Sequence, residues 1–200
     1  SKLTAECCRK APLKERKKLL DFGGGTGLLS LFLHRDFDEI VLADSSKEMF
    51  WCDKTTGLSP NFWLRALGWF YMALVDVIEL LGDDFDFKKE VSNMFFELTQ
   101  SLLKYQHSSG MWYQLPALGN VEGNYLETSG TAIISYAILK SVYLQVLPES
   151  FKAHGEKAFY GICDKYLYEE NGKMCLDGTC LVAGLGGKEL RDGSVEYYFS

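Results

Sequence analysis

The hydrophobic period of this chain changes near residue 50, and the change restricts what each part can fold into. Up to Asp44 the apolar runs are short and punctuated by glycine. Lys18-Leu19-Leu20-Asp21-Phe22 reads as a buried strand running into Gly23-Gly24-Gly25-Thr26-Gly27; a helical stretch covers Leu28 to His34; Ile40-Val41-Leu42-Ala43 reads as a second strand ending at Asp44. From Trp63 onward the spacing is helical. Leu67, Phe70, Met72, Leu74, Val75, Ile78 and Leu81 make a helix apolar nearly all round, and Val91, Met94, Phe95, Leu98, Leu102 and Leu103 mark a one-faced helix ending near His107. A third helix is expected from about Leu126 to Leu147, where Ser129, Thr131 and Ala132 permit close approach. A fourth is expected from Ser150 to Tyr168, with Ser150 as N-cap and Glu170-Asn171-Gly172 as the stop. The pattern predicts a mainly α protein with residues 63–169 in about four long helices packed as antiparallel pairs, and strands mainly in the first fifty residues. Long paired helices with loops carrying Trp112 and Gln114 fit part of an α/α toroid. The domain division expected is residues 1–50 and 51–200.

Two hundred residues with 47% apolar content can build one sizeable core or two small ones. A net charge of −6 argues against a nucleic-acid partner, because binding a phosphate backbone rests on clustered cations. The one basic cluster, Lys14 to Lys18, reads as a solvated face before a strand. No apolar run approaches the roughly 20 residues that a membrane span needs, and Ser1 to Glu6 lacks an apolar signal core, so a cytoplasmic setting is expected. Cysteines stand at 7, 8, 52, 163, 175 and 180. Cys175 and Cys180 lack a nearby partner with metal-ligand spacing, so no metal is expected and free thiols are the simpler reading.

The stretch Phe62-Trp63-Leu64-Arg65-Ala66-Leu67-Gly68-Trp69 places two indoles and a guanidinium at the start of a helix. An arginine can pair with a carboxylate while indole faces stack on a pyranose, so Trp63, Arg65 and Trp69 are candidate binding residues for an anionic sugar, with Trp112 and Gln114 as further candidates. Two ordinary core tryptophans flanking a solvated arginine would explain the same spacing. Among the carboxylates Asp53, Asp76, Glu127 and Asp192 are candidates for proton transfer, against simpler readings of Asp53 as a turn residue, Asp76 as a partner for a neighbouring helix and Glu127 as a helix cap. No histidine triad or nucleophile elbow is present, and Gly184-Leu185-Gly186-Gly187 lacks the Gly-Lys-Ser/Thr ending of a phosphate loop.

The run Trp51-Cys52-Asp53-Lys54-Thr55-Thr56-Gly57-Leu58-Ser59-Pro60, then Phe62 to Trp69, then Ala73-Leu74-Val75-Asp76, resembles the unsaturated glucuronyl and rhamnogalacturonyl hydrolases, glycoside hydrolase families 88 and 105. Gly110-Met111-Trp112-Tyr113-Gln114, Asn124-Tyr125-Leu126-Glu127-Thr128-Ser129-Gly130, Gly184 to Gly187 and Arg191 to Tyr198 resemble further blocks of those families in the same order, over about residues 44–200. The resemblance implies a six-hairpin, α/α-toroid glycosidase fold of which this chain holds the C-terminal part. It also implies a substrate, an oligosaccharide ending in a 4,5-unsaturated uronic acid, whose double bond is hydrated after protonation by an aspartic acid. That aspartate belongs upstream of the Trp-x-Arg block, beyond the reach of residue 1, and the family's histidine is replaced in Val41-Leu42-Ala43-Asp44, so no catalytic residue is assigned here. No cofactor is implied.

Residues 13–49 resemble instead the first motif of class I S-adenosylmethionine-dependent methyltransferases. On that alternative Asp21, Gly23, Gly25, Gly27 and Asp44 would bind S-adenosylmethionine, with Asp44 on its ribose. A third alternative, a non-catalytic helical interaction protein, follows from both motif sets being incomplete.

Overall fold

In a computed structural model the described residues are 18–22, 39–43, 59–81, 88–181, 183–185 and 191–199. Two compact units divide at residue 60, Ser1–Pro60 and Asn61–Ser200.

In the first unit β1 (Lys18–Phe22) and β2 (Glu39–Ala43) pair in parallel, with Lys18 opposite Glu39 and Phe22 opposite Ala43. These are the two strands expected. A parallel pair requires a crossover between its strands, which a hairpin cannot provide. The glycine run with Gly23, Gly25 and Gly27, the segment expected to be helical, and Asp44 lie outside the described residues.

The second unit is helical, as the spacing predicts. α1 spans Leu64–Leu80, α2 Lys88–Leu103, α3 Thr128–Tyr143 and α4 Lys152–Tyr166; a short α5 covers Val195–Phe199. α1 buries Leu64, Tyr71, Leu74, Val75 and Ile78, a stripe at three- and four-residue spacing, while Trp69 and Leu80 stay exposed. Its burial is one-sided, yet the exposed Ala66, Trp69 and Leu80 are apolar too, so the helix is apolar nearly all round as the spacing predicts. α2 lays Phe95 flat on Tyr71 at 4.3 Å between ring centroids, and the Tyr71 hydroxyl pairs with Thr99 at 2.5 Å.

α1 lies against α3, and α3 against α4. Gly130 makes the first contact possible: a Cβ there would come within 2.6 Å of Leu64 Cγ. Gly68 sits below Ile133, one turn further along both helices, so α1 and α3 run side by side in the same direction. α4 returns antiparallel, with the Ser135 hydroxyl donating to the Gly155 carbonyl at 2.8 Å.

Several expected boundaries shift. α2 stops at Leu103, and His107 lies in the following turn, where its Nδ1 accepts the Ser109 N–H at 3.1 Å. α3 begins at Thr128 and ends at Tyr143, because Gln145 takes a positive φ of 59° that a helix cannot continue through. Ser150 is no N-cap: it lies within a 3-10 turn, Glu149–Phe151, that leads directly into α4. Strands are also not confined to the first fifty residues. α4 stops at Tyr166, and Leu167–Glu170 (β3) pairs antiparallel with Lys173–Leu176 (β4). Asn171 and Gly172, read as a helix stop, are the two turn residues of that hairpin, with φ of 52° and 73°.

Candidate functional site

The start of α1 is where the chemistry gathers. Its first free N–H, on Leu64, donates to the Gln114 carbonyl at 2.9 Å, which fixes the position of the next residue, Arg65. Arg65 Nε donates to Ser129 Oγ at 2.7 Å, and Nη2 bonds the Cys180 carbonyl and lies 3.6 Å from Glu127 Oε1. The guanidinium also lies over the Trp63 ring, 5.4 Å from its centroid, within the range of a cation–π contact. Only 17% of the Arg65 side chain remains exposed.

Glu127 organises this cluster. It is fully buried at 0% exposure and precedes α3, whose first N–H groups need an acceptor. Its Oε1 accepts from Ser129 N at 3.0 Å, Ser129 Oγ at 2.6 Å and Cys180 N at 3.0 Å, and its Oε2 accepts from Gly130 N at 2.6 Å. Every one of these contacts uses the carboxylate as an acceptor. The capping role expected of Glu127 is therefore present, and it carries a second duty: pairing with Arg65 and tying the segment around Cys180 to the head of α3. The Thr128 hydroxyl adds a bond to the Asp177 carbonyl at 2.7 Å.

Beside this cluster the Tyr125 hydroxyl donates to Gln114 Oε1 at 2.6 Å, and Gln114 Nε2 donates to the Tyr198 carbonyl at 2.6 Å. Burial raises the Tyr125 phenol, and the neighbouring Cys180 and Glu127 add to the shift while Arg65 opposes it. Trp63 packs on a small cluster of Leu115, Cys180, Ala183 and Tyr198, its ring 6.4 Å from that of Tyr198.

The structure thus brings Trp63 and Arg65 together, and Trp69 follows Arg65 by one turn on the same face of α1, 54% exposed. Trp112 and Gln114 are corrected. Trp112 has 0% exposure and donates its indole N–H to the Leu102 carbonyl at 2.8 Å, while Gln114 is 2% exposed with both amide ends bonded within the protein. Neither offers an atom to a ligand; both hold loops against the helices. Asp76 is the helix partner expected, accepting from Lys140 Nζ at 2.8 Å. The sequence reading missed Ser129 and the backbone of Cys180. Ser129 is two residues after the capping Glu127, a spacing that could have revealed it; a backbone carbonyl from a distant loop leaves no signal. Among the described residues no group of His, Cys, Asp and Glu is arranged to hold a metal, and no helix is long and apolar enough to cross a membrane.

The paired helices, with Arg65 clamped at the head of α1, have the architecture of the α/α-toroid glycosidases. Residues 42–200 match the model of Glycosyl Hydrolase Family 88, and the chain belongs to that family. It is similar to the 24.9 kDa protein in the picA locus of Rhizobium radiobacter, 35% identical over 164 residues that cover 78% of this chain and 70% of that protein. Among solved structures it is similar to a family 105 glycoside hydrolase from C. acetobutylicum, with a TM-score of 0.75 and 43% identity over 78% of this chain. The chain spans 44% of the length of that structure. The unsaturated glucuronyl hydrolase of Bacillus sp. GL1 shares the fold, at a TM-score of 0.51 and 15% identity, with 60% of this chain and 32% of that one covered. The α/α-toroid class read from the sequence is the class of these neighbours.

Proposed function

We propose that residues 51–200 hold the uronate-binding wall of an unsaturated uronyl hydrolase, with Arg65 facing the substrate carboxylate and Trp63 and Trp69 beside the sugar ring. The observation that carries this is the Arg65 clamp within a chain of family 88. Glu127, Ser129 and the Cys180 carbonyl occupy Nε and Nη2, which fixes the guanidinium plane and leaves Nη1 for a ligand oxygen. A pre-oriented guanidinium loses less entropy on binding than a free one. The substrate is an oligosaccharide ending in a 4,5-unsaturated uronic acid, of pectic (rhamnogalacturonyl) type, in a cytoplasmic setting. In the reaction a proton adds to C4 and water to C5, and the resulting hemiketal opens to release the next sugar. No residue described here is assigned as the proton donor, because Glu127 is already committed as an acceptor.

The test is titration of the chain with an unsaturated uronyl disaccharide while the absorbance of the double bond is followed. Saturable binding without loss of absorbance is expected. Enzyme-dependent loss would show that one of Asp53, Asp76, Glu127 or Asp192 donates the proton; no binding would remove the reading.

The parallel pairing of β1 and β2 favours a second reading for residues 1–50, a methyltransferase-like β-α-β segment in which Asp21, Gly23, Gly25, Gly27 and Asp44 would meet S-adenosylmethionine. One such unit supplies a single wall of a cofactor pocket. Little or no rise in melting temperature with S-adenosylmethionine is therefore expected, and a saturable rise abolished by Asp44→Ala would make this the leading reading.

A further inference from the structure

A recess of about 510 Å³ opens between the end of α2 and the first turn of α4, sharing no residue with the Arg65 cluster. Gln100, Leu103, Lys104, Ser150, Phe151 and His154 line it. Its volume falls within the range of small-molecule sites, roughly 300–1,000 Å³. The lining is mixed in kind. Leu103 and Phe151 give an apolar wall, and Phe151 is steadied by an edge contact with Phe96 at 5.8 Å. The other four residues offer an amide, an ammonium, a hydroxyl and an imidazole.

The imidazole is oriented from behind. Gln106 Nε2 lies 2.8 Å from the Gly110 carbonyl and 3.0 Å from the His154 carbonyl, so both are donor contacts and fix which end of the amide is nitrogen. Its Oε1 is therefore the atom 2.7 Å from His154 Nδ1, and Nδ1 must carry the hydrogen. The neutral ring then presents Nε2 as an acceptor. Lys104 has no ion-pair partner among the described residues, whereas nearby Lys152 is flanked by Glu149 and Glu156 at 3.5 and 3.8 Å.

We infer that this recess is a second binding site for an acidic sugar unit, with the carboxylate on Lys104, hydroxyls on Gln100, Ser150 and His154 Nε2, and the ring against Phe151. A pyranose has the same two-sided chemistry as the lining, C–H faces and a hydroxyl edge. A single lysine suits a carboxylate better than a polyphosphate, and four polar residues out of six disfavour a purely apolar guest. The choice of a uronate rests on the proposed substrate class; the recess and the His154 tautomer do not.

The experiment is a nuclear magnetic resonance titration of the whole chain, reading its three histidines with galacturonate and, separately, with galactose. The His154 signal is expected to move saturably with galacturonate, to respond about fivefold more weakly to galactose and in Lys104→Met, and to be unchanged in Arg65→Ala. Equal responses to the two sugars, a full response in Lys104→Met, or no response would overturn the proposal. Loss of the response in Arg65→Ala would also overturn it, by assigning the shift to the other site. Failure of the Arg65 reading alone would leave the His154 response intact.

Discussion

Arg65 and Glu127 face each other 3.6 Å apart, the arginine at the head of α1 and the carboxylate fully buried at the head of α3. The pair joins two helices that run side by side, and it also fixes the guanidinium proposed to meet a uronate. Removing the carboxylate should therefore damage stability and binding together. Glu127→Ala loses the cap of α3, the partner of Arg65 and the acceptor for Cys180 N, and is expected to cost about 3–5 kcal/mol, the scale for breaking a buried pair. A denaturant midpoint lowered at constant slope would report it. A loss below about 1 kcal/mol would show that the clamp is not structural.

Arg65→Ala should weaken binding of the unsaturated disaccharide by about tenfold or more, since a charged hydrogen bond to a carboxylate contributes about 1.5–3 kcal/mol. Trp69→Ala should weaken it less and leave stability nearly unchanged, because that indole is mostly exposed. Calorimetric titration of both variants is the measurement, and equal affinity for Arg65→Ala and the parent would contradict the proposed site.

Gly130→Ala should destabilise by about 1–3 kcal/mol, because the added methyl meets Leu64 Cγ at 2.6 Å and Glu127 Oε2 at 2.9 Å. Shortening the opposing side chain in Leu64→Ala/Gly130→Ala should make the two losses less than additive. Simple additivity in a double-mutant cycle would mean that the two helices separate instead of clashing.

Burial pushes the Tyr198 phenol up to about 12 and raises those of Tyr71 and Tyr125 as well. The unfolded phenols ionise near 10, so the unfolded chain releases protons that the folded chain still holds. The stability linked to these groups is fully present below about pH 10 and is lost as pH rises toward 12 and above. Tyr198→Phe should make that alkaline decline shallower while keeping the bond from Gln114, which is made to the Tyr198 backbone carbonyl. Chemical unfolding on either side of pH 10 would detect the change.

The α/α arrangement was legible because each long helix carries an apolar period that a strand cannot use, and the joined Trp63 and Arg65 were legible because they are near neighbours in sequence. The other aromatic and amide candidates were not. Trp112 and Gln114 come from a loop, where no periodicity separates a buried side chain from one that lines a cleft. The β3–β4 hairpin was hidden by ambiguous punctuation: Asn171-Gly172 satisfies the positive-φ needs of a helix end and of a tight hairpin turn equally well.

The Cys180 carbonyl that grips Arg65 lies 115 residues further along the chain. At typical synthesis rates of about 5–20 residues per second, roughly 6 to 23 s separate the making of the arginine from the making of its partner. The capped head of α3, with Glu127 and Ser129, is made about halfway through that interval, so Arg65 can meet its side-chain partners before the loop that carries Cys180 exists. The clamp is thus assembled in two stages as the chain grows, and a message cut short before Cys180 would encode an arginine held by Glu127 and Ser129 but lacking its backbone acceptor.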